Sequence, residues 1–441
     1  MLFRLRSALV GFLAFALPAF AGAAEPTPPK GFTALFNGKD FTNFRGWSIH
    51  DKGGSPLEIA TLTPDERQKK FDAWTVDLKK NWTIDNGELV NKGTGAYLST
   101  EKDYGDYELM VEYKLAATVD SGIYPKTMPQ IQVWDPTEPD PSKLGKALGS
   151  GGLWNNQPAT SPGRDPLAKA DKAPGEWNQF KIQVVGERCT VHLNGTLVVD
   201  HARLQNFWDR KAPVPKAAAI LFQTHPPKLE IRWRNIFIRE IATAEANEIL
   251  AKKTGTGFTD LFNGKDLTGW TGAVDNYEVV DGTIACKKGT SGVLFTKEEY
   301  ADYQVALEIK LPKNGNNGLG IRYPGKGDGA YVGMTELQVL DDAYKGIDPR
   351  QAHGSAYGMF AAARGYQRPI GEWNYQVCTI KGSTIQVELN GTKILDCDLA
   401  AAKDIMANSP HPGKDRTTGH FAFLGHGDGV MFRNVKIKLL K

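Results

Sequence analysis

Apolar and polar residues alternate along most of this chain. Residues 107–115 (YELMVEYKL) and 303–311 (YQVALEIKL) place apolar side chains at nearly every second position, the period of a half-buried strand. FKIQVV, TVHLNGTLVVD and LEIRWRNIFIRE repeat the pattern in the first half, and YQVCTIKGSTIQVELNGTKILD in the second. Asn194-Gly195 and Asn390-Gly391 lie inside alternating runs. They predict type I′ hairpins, whose two central residues both take positive φ. Two stretches break the alternation. Pro64 to Lys80 is charged, with Phe71, Trp74 and Leu78 at helical spacing. Thr243 to Lys253 is rich in Ala, Glu and Lys and stops before Gly255 and Gly257. Both predict short helices. Many short strands separated by turns imply antiparallel β-sandwiches.

The pattern occurs twice. GFTALFNGKD at 31–40 returns as GFTDLFNGKD at 257–266, followed by Trp47 and Trp270 respectively. Asp85-Asn86-Gly87 is matched by Asp281-Gly282, and the Asp103–Tyr107 segment by Glu299–Tyr303. Gly-Glu-Trp-Asn recurs at 175–178 and 371–374, and Asn-Gly-Thr at 194–196 and 390–392. Trp233-Arg234-Asn235 has its counterpart in Phe432-Arg433-Asn434. Such self-similarity predicts two homologous domains, at about 31–241 and 257–441, joined by a linker at 242–256. The first copy is longer, and its surplus forms an insertion at about 48–80.

Composition narrows the class. Hydrophobic residues make up 41% and charged residues 23%, which excludes wholesale disorder. Lys plus Arg is 53 against 50 Asp plus Glu, with no basic run, so a nucleic-acid partner held by phosphate electrostatics is not expected. Residues 1–24 read as a secretory signal: Arg4 and Arg6, an apolar run from Leu9 to Phe20, then Ala19, Ala21, Ala23 and Ala24 as small cleavage-site residues. The run is short of the ~20 residues a membrane span needs. The expectation is an exported protein, periplasmic or extracellular, with no membrane anchor after cleavage. Cys189, Cys286, Cys378 and Cys397 show no CxxC spacing and read as buried thiols; no metal site is expected.

LFNGKD-x-x-x-W, the Gly-Glu-Trp-Asn turn, the Leu-Asn-Gly hairpin and a terminal Phe-Arg-Asn strand together resemble the 3-keto-disaccharide hydrolase domain family. The resemblance covers nearly the whole chain after the leader, once per copy. It implies two tandem concanavalin A-like jelly-roll β-sandwiches, an all-β fold. It also implies action on glycosides that carry a ketone at carbon 3. A 3-ketone acidifies the carbon 2 proton, so a positioned base can remove it and the carbon 1 group can leave by elimination, with water adding afterwards. This chemistry needs no organic cofactor. It does need a carbohydrate substrate oxidised beforehand, and a separate sugar 3-oxidoreductase in the same compartment is the expected partner.

The residues for it are sought on Glu336-Leu337-Gln338-Val339-Leu340-Asp341. Period-two alternation puts Glu336 and Gln338 on one face, suited to acid–base work and sugar hydroxyls. The family pattern of an acidic residue, Gln and Asp falls on this strand, with Asp341 at its end. Asn317 and Arg322 precede it, where an Arg could polarise a ketone or lower a carboxylate pKa. His426 lies before the last strand and resembles a His of the family's last loop; its titration range suits a proton shuttle. Tyr357 could stack on a sugar. Candidate catalytic residues are therefore Glu336, Asp341, His426 and Arg322, with Asn317, Gln338 and Tyr357 binding substrate. The first copy departs from the pattern. Gln130 stands where the second has Glu336, and Lys126 where it has Arg322. Gln132, Asp135 and His225 remain as candidate substrate contacts, but an amide is no general base, so the second copy is expected to be the more competent site. Two other classes stay open: a lectin-like carbohydrate-binding protein and an exported scaffold.

Overall fold

The computed structural model describes residues 26–140, 142–225, 229–330, 335–427 and 429–441. The leader at 1–24 lies outside the described residues. Four antiparallel sheets form two sandwiches, in keeping with the all-β expectation. The first has an eight-strand sheet in the order Thr196–Arg203, Arg188–Leu193, Asn178–Val185, Tyr107–Leu115, Ile231–Glu240, Glu88–Asn91 and Trp82–Asp85, with Thr33–Ala34 also on Ile231–Glu240. Against it lies a five-strand sheet: Phe44–Trp47, Tyr97–Thr100, Leu221–Phe222, Asp120–Tyr124 and Ile131–Trp134. The second sandwich repeats this plan, and its five-strand sheet runs Trp270–Gly272, Gly292–Thr296, His420–Gly425, Asn316–Tyr323 and Thr335–Leu340. Alternation sends one face of every strand into the space between sheets. Tyr113, Phe180, Phe222 and Trp233 fill it in the first domain, and Trp270, Phe421, Phe423 and Phe432 in the second.

The repeated motifs hold the frame. Asn194 and Asn390 take φ of 50° and 51°, and the glycines after them 83° and 80°, the type I′ geometry. Asn194 Nδ2 donates to Asn178 Oδ1 at 2.7 Å, and Asn390 Nδ2 to Asn374 Oδ1 at 2.9 Å, so each hairpin Asn grips the Asn of its Gly-Glu-Trp-Asn turn. The Trp of each turn lies between two cations: Trp177 has Arg234 at 3.8 Å and Lys114 at 4.7 Å, and Trp373 has Arg433 at 4.1 Å and Lys310 at 5.0 Å. The pairing of Trp47 with Trp270 needs correction. Trp270 faces Thr296 across its sheet, whereas Phe44, not Trp47, faces the equivalent Thr100. Phe44 occupies the motif position and lies in the main core, while Trp47 lies on the opposite face with Ile59 and Phe71.

The insertion forms helices α1 (Pro56–Thr61) and α2 (Pro64–Asn81), each opened by Pro and a capping box from Ser55 and Thr63. Helix α2 sits on the first edge strand so closely that a Cβ on Gly46 would lie 2.1 Å from Trp74 O. Helix α3 (Thr243–Lys253) follows the first domain. Its Ala246 and Leu250 are buried with Val185 and Ile241 of the first domain and Ala306 and Tyr375 of the second. Beside this apolar contact Glu388 receives Arg188 Nε at 2.9 Å and Arg203 Nη2 at 2.6 Å, and Arg368 meets Asp106 at 2.6 Å. All four cysteines are free and buried; burial pushes the thiols of Cys189, Cys378 and Cys397 up to about 12.

Candidate active site

The strand pairing of the second domain sets out the site. Glu336 lies opposite Gly320, Gly320 opposite Ala422, and Ala422 opposite Phe295, so these residues make one row on the outer face of the five-strand sheet. Leu337 and Val339 point the other way, into the core. Val293, Phe295, Tyr323, Ala422 and Leu424 form an apolar patch on the outer face. Glu336 leans over Gly318 so closely that a Cβ there would lie 2.1 Å from Oε1. Gly318 thus leaves room for the carboxyl to lie flat on the sheet, and Gly320 is the strand partner opposite Glu336.

That carboxyl is 4% exposed, and no described residue gives it a hydrogen bond. Burial, with a smaller contribution from the negative charge of Asp328, raises its pKa from 4.5 to about 8. Such a group is mostly protonated near neutrality and, once ionised, is a far stronger base than an ordinary carboxylate. Nearby, Gln338 Nε2 donates to Asn316 Oδ1 at 2.8 Å. Tyr357 N donates to Glu336 O at 2.9 Å, and its hydroxyl accepts from Gln351 Nε2 at 3.0 Å.

Other candidates lie elsewhere. Arg322 does not face Glu336. Its guanidinium donates to the carbonyls of Ala301, Gly382 and Arg416 and to Asp302 Oδ1, at 2.8–3.0 Å. The reason is a local break: Arg322 has φ 57° and the register with the neighbouring strand shifts between Gly320 and Tyr323, turning the side chain away. Lys126, 0% exposed, does the same work in the first domain, donating to Gly186 O and Lys216 O. Asp341 is spent on its own loop, accepting from Asn314 N and Ala343 N, both at 2.9 Å. Asp135 is tied likewise, to Thr118 N and Thr137. Its burial opposes ionisation, but those bonds outweigh it and lower its pKa. Asn317 is fully buried on the core side of its strand, with Oδ1 accepting from Gly318 N. His426 is exposed just past the His420–Gly425 strand, with no hydrogen bond to Glu336. His225 occupies the matching place in the first domain, near Asp120, whose carboxyl is pushed above the usual range by burial. Gln132 reaches Asp120 Oδ1 at 2.6 Å.

Sequence reasoning passed over Gly318, Phe295 and Tyr323. The Gly-Leu-Gly run opposite a lone carboxylate was the available signal for the first. The apolar patch arises only when three strands are laid side by side.

Two tandem antiparallel β-sandwiches, with a buried carboxyl on the outer face of the second, define the class. The chain belongs to the 3-keto-alpha-glucoside-1,2-lyase-like domain family, whose model matches residues 31–239 and 257–438. A relative from Bacteroides thetaiotaomicron named 3-keto-disaccharide hydrolase is 25% identical over 248 residues, spanning 46% of this chain and 86% of that protein. A provisionally assigned glycosyl hydrolase from Parabacteroides distasonis is 28% identical, covering 46% of this chain and 99% of the other, with TM-score 0.38. Another from the same organism is 26% identical over 42% of this chain and all of the other, also with TM-score 0.38.

Proposed function

We propose that the second domain cleaves 3-keto-glycosides with Glu336 as the base. The observation that carries this reading is the isolated, buried carboxyl with its pKa raised to about 8. Ionised Glu336 removes the carbon 2 proton. The electron pair moves toward carbon 3 as an enolate, and collapse of the enolate breaks the bond from carbon 1 to the leaving oxygen. That oxygen takes up a proton, and water then adds across the resulting enone to return a 3-keto sugar. A base of raised pKa suits this step because proton abstraction from carbon accelerates with base strength. A retaining glycosidase would instead need a second carboxylate ~5–5.5 Å away. Asp341, the other acid of this strand, has both oxygens engaged by backbone. Gln338 and Asn316, paired beside Glu336, are suited to sugar hydroxyls. The leader composition fits export, and a separate oxidoreductase would supply the ketone.

The test is release of chromophore from a 3-keto-glucoside and from its plain glucoside by the purified chain and by Glu336→Gln. Turnover of the keto substrate alone, lost in the variant while sugar binding persists, is the expected result. Cleavage of the plain glucoside, or full activity in the variant, would refute the reading.

A further inference from the structure

The first domain carries a different surface at the position of the active-site row. Strand register matches Gln130 with Glu336, Tyr124 with Gly320, Gln223 with Leu424 and Tyr97 with Val293. The floor that is apolar in the second domain is here a chain of uncharged donors and acceptors. Tyr124 OH donates to Gln130 Oε1 at 3.1 Å, Gln130 Nε2 to Gln223 Oε1 at 2.8 Å, and Gln223 Nε2 to Tyr97 OH at 3.1 Å. Rings line it. His50 lies 5.3 Å from Trp208, 5.8 Å from Tyr97 and 6.1 Å from Tyr124 between ring centroids, and Phe207 packs on Trp208 at 4.9 Å. Phe207 is 37% exposed, so the aromatic rim opens to solvent.

The insertion builds one side. His50 follows the edge strand directly, and Trp47 and Phe71 of α2 pack edge-to-face at 5.2 Å. Among the described residues, the second domain has no counterpart of these helices. A face with aromatic sides and a few fixed amide and hydroxyl groups has the composition of a small-ligand site. Flat rings meet the CH faces of a pyranose, and amides and phenols meet its hydroxyls. Beside the floor, Asp120 Oδ1 accepts from Gln132 Nε2 at 2.6 Å, which adds a carboxyl to the hydrogen-bonding groups of this face.

We infer that the outer face of the first domain is a second sugar site, which holds a pyranose without cleaving it. Gln130 stands where the base stands in the other domain, and an amide cannot take up a proton. The site would keep the oxidised or unoxidised glycoside on the protein close to the cleaving domain, against which helix α3 packs. Its ligand class rests on the reading of the chain as sugar-directed; its location does not.

The test uses the whole chain as Glu336→Gln, so that nothing is consumed. Methyl α-glucoside, trehalose and cellobiose are titrated by ligand-observed NMR and by tryptophan fluorescence. At least one is expected to bind and to quench fluorescence. Trp208→Ala should weaken that binding at least tenfold, and Tyr97→Phe, which removes one hydroxyl and keeps the ring, several-fold. If all three sugars fail to bind, or if both variants bind as the parent does, the second site is refuted, whatever the turnover assay finds. Residual 3-keto-glucoside cleavage in Glu336→Gln that disappears on His50→Ala would overturn its non-cleaving character. Loss of binding in Trp208→Ala in a chain that cleaves no keto-glycoside would leave this site standing while the proposed function fell.

Discussion

Replacing Glu336 with Gln should change how stability depends on pH. An unfolded carboxyl at this position ionises around 4.5, whereas the folded one does so only at about 8. Below the lower value both states are protonated and the group contributes no pH dependence. As pH rises from there toward 8 the unfolded state releases its proton first, so folded stability falls. Above 8 the loss levels off. At ~1.4 kcal/mol per tenfold change in proton affinity, the full loss is about 4 to 5 kcal/mol, of which about 3 is already present at pH 7. Glutamine cannot ionise, and the first domain shows that an amide fits this place in the sheet. The assay is urea unfolding of both proteins at pH 5, 7 and 9, followed by intrinsic fluorescence and circular dichroism. Glu336→Gln should match or trail the parent at pH 5 and surpass it at pH 9, so that the difference between them changes by several kcal/mol. Parallel pH profiles would show that the carboxyl is solvated, and the assignment of a raised pKa would fall with it.

Further outcomes follow from the same geometry. Gly318→Ala places a methyl where Glu336 Oε1 lies; because the carboxyl end can swing aside, turnover should drop by at least tenfold while the melting temperature changes little. Arg322→Met strands three carbonyls and Asp302, and chemical denaturation should register a loss of roughly 3–5 kcal/mol. If instead stability holds and only kcat falls, Arg322 acts in the reaction. Glu388→Ala leaves Arg188 and Arg203 facing each other without their shared acid; calorimetry should show a lower, broadened or split transition as the two domains uncouple.

The active face shows how far a sequence reaches. Local alternation is enough to put Glu336 and Gln338 together and Leu337 and Val339 behind them, because a strand allows only two directions for its side chains. The tandem sandwiches, the two hairpins and the helices over Pro64–Asn81 and Thr243–Lys253 were likewise legible, since each depends on neighbours within a few residues or on a repeated motif. Arg322 was not. Alternation across the Asn316–Tyr323 strand is broken by its positive φ, so a residue near Glu336 in sequence is sent to the carbonyls of Ala301, Gly382 and Arg416. The surroundings of Asp341 were not legible for a related reason: a carboxylate just past a strand meets backbone N–H groups of the adjoining turns, here those of Asn314 and Ala343.

By itself, then, the sequence determined the kind of elements, their duplication and the family to which they belong. These follow from periodicity, turn residues and repeated words, all local in the chain. Tertiary structure alone decided that Glu336 lies dry on a patch drawn from three strands, with Gly318 making room beneath it. It also decided that an insertion before the first repeat's turn motifs wraps the first domain's face, where Tyr97, Tyr124, Gln223 and Trp208 converge. Burial, and the proton affinity it sets, depends on atoms brought together from distant positions. No period in the chain encodes that sum.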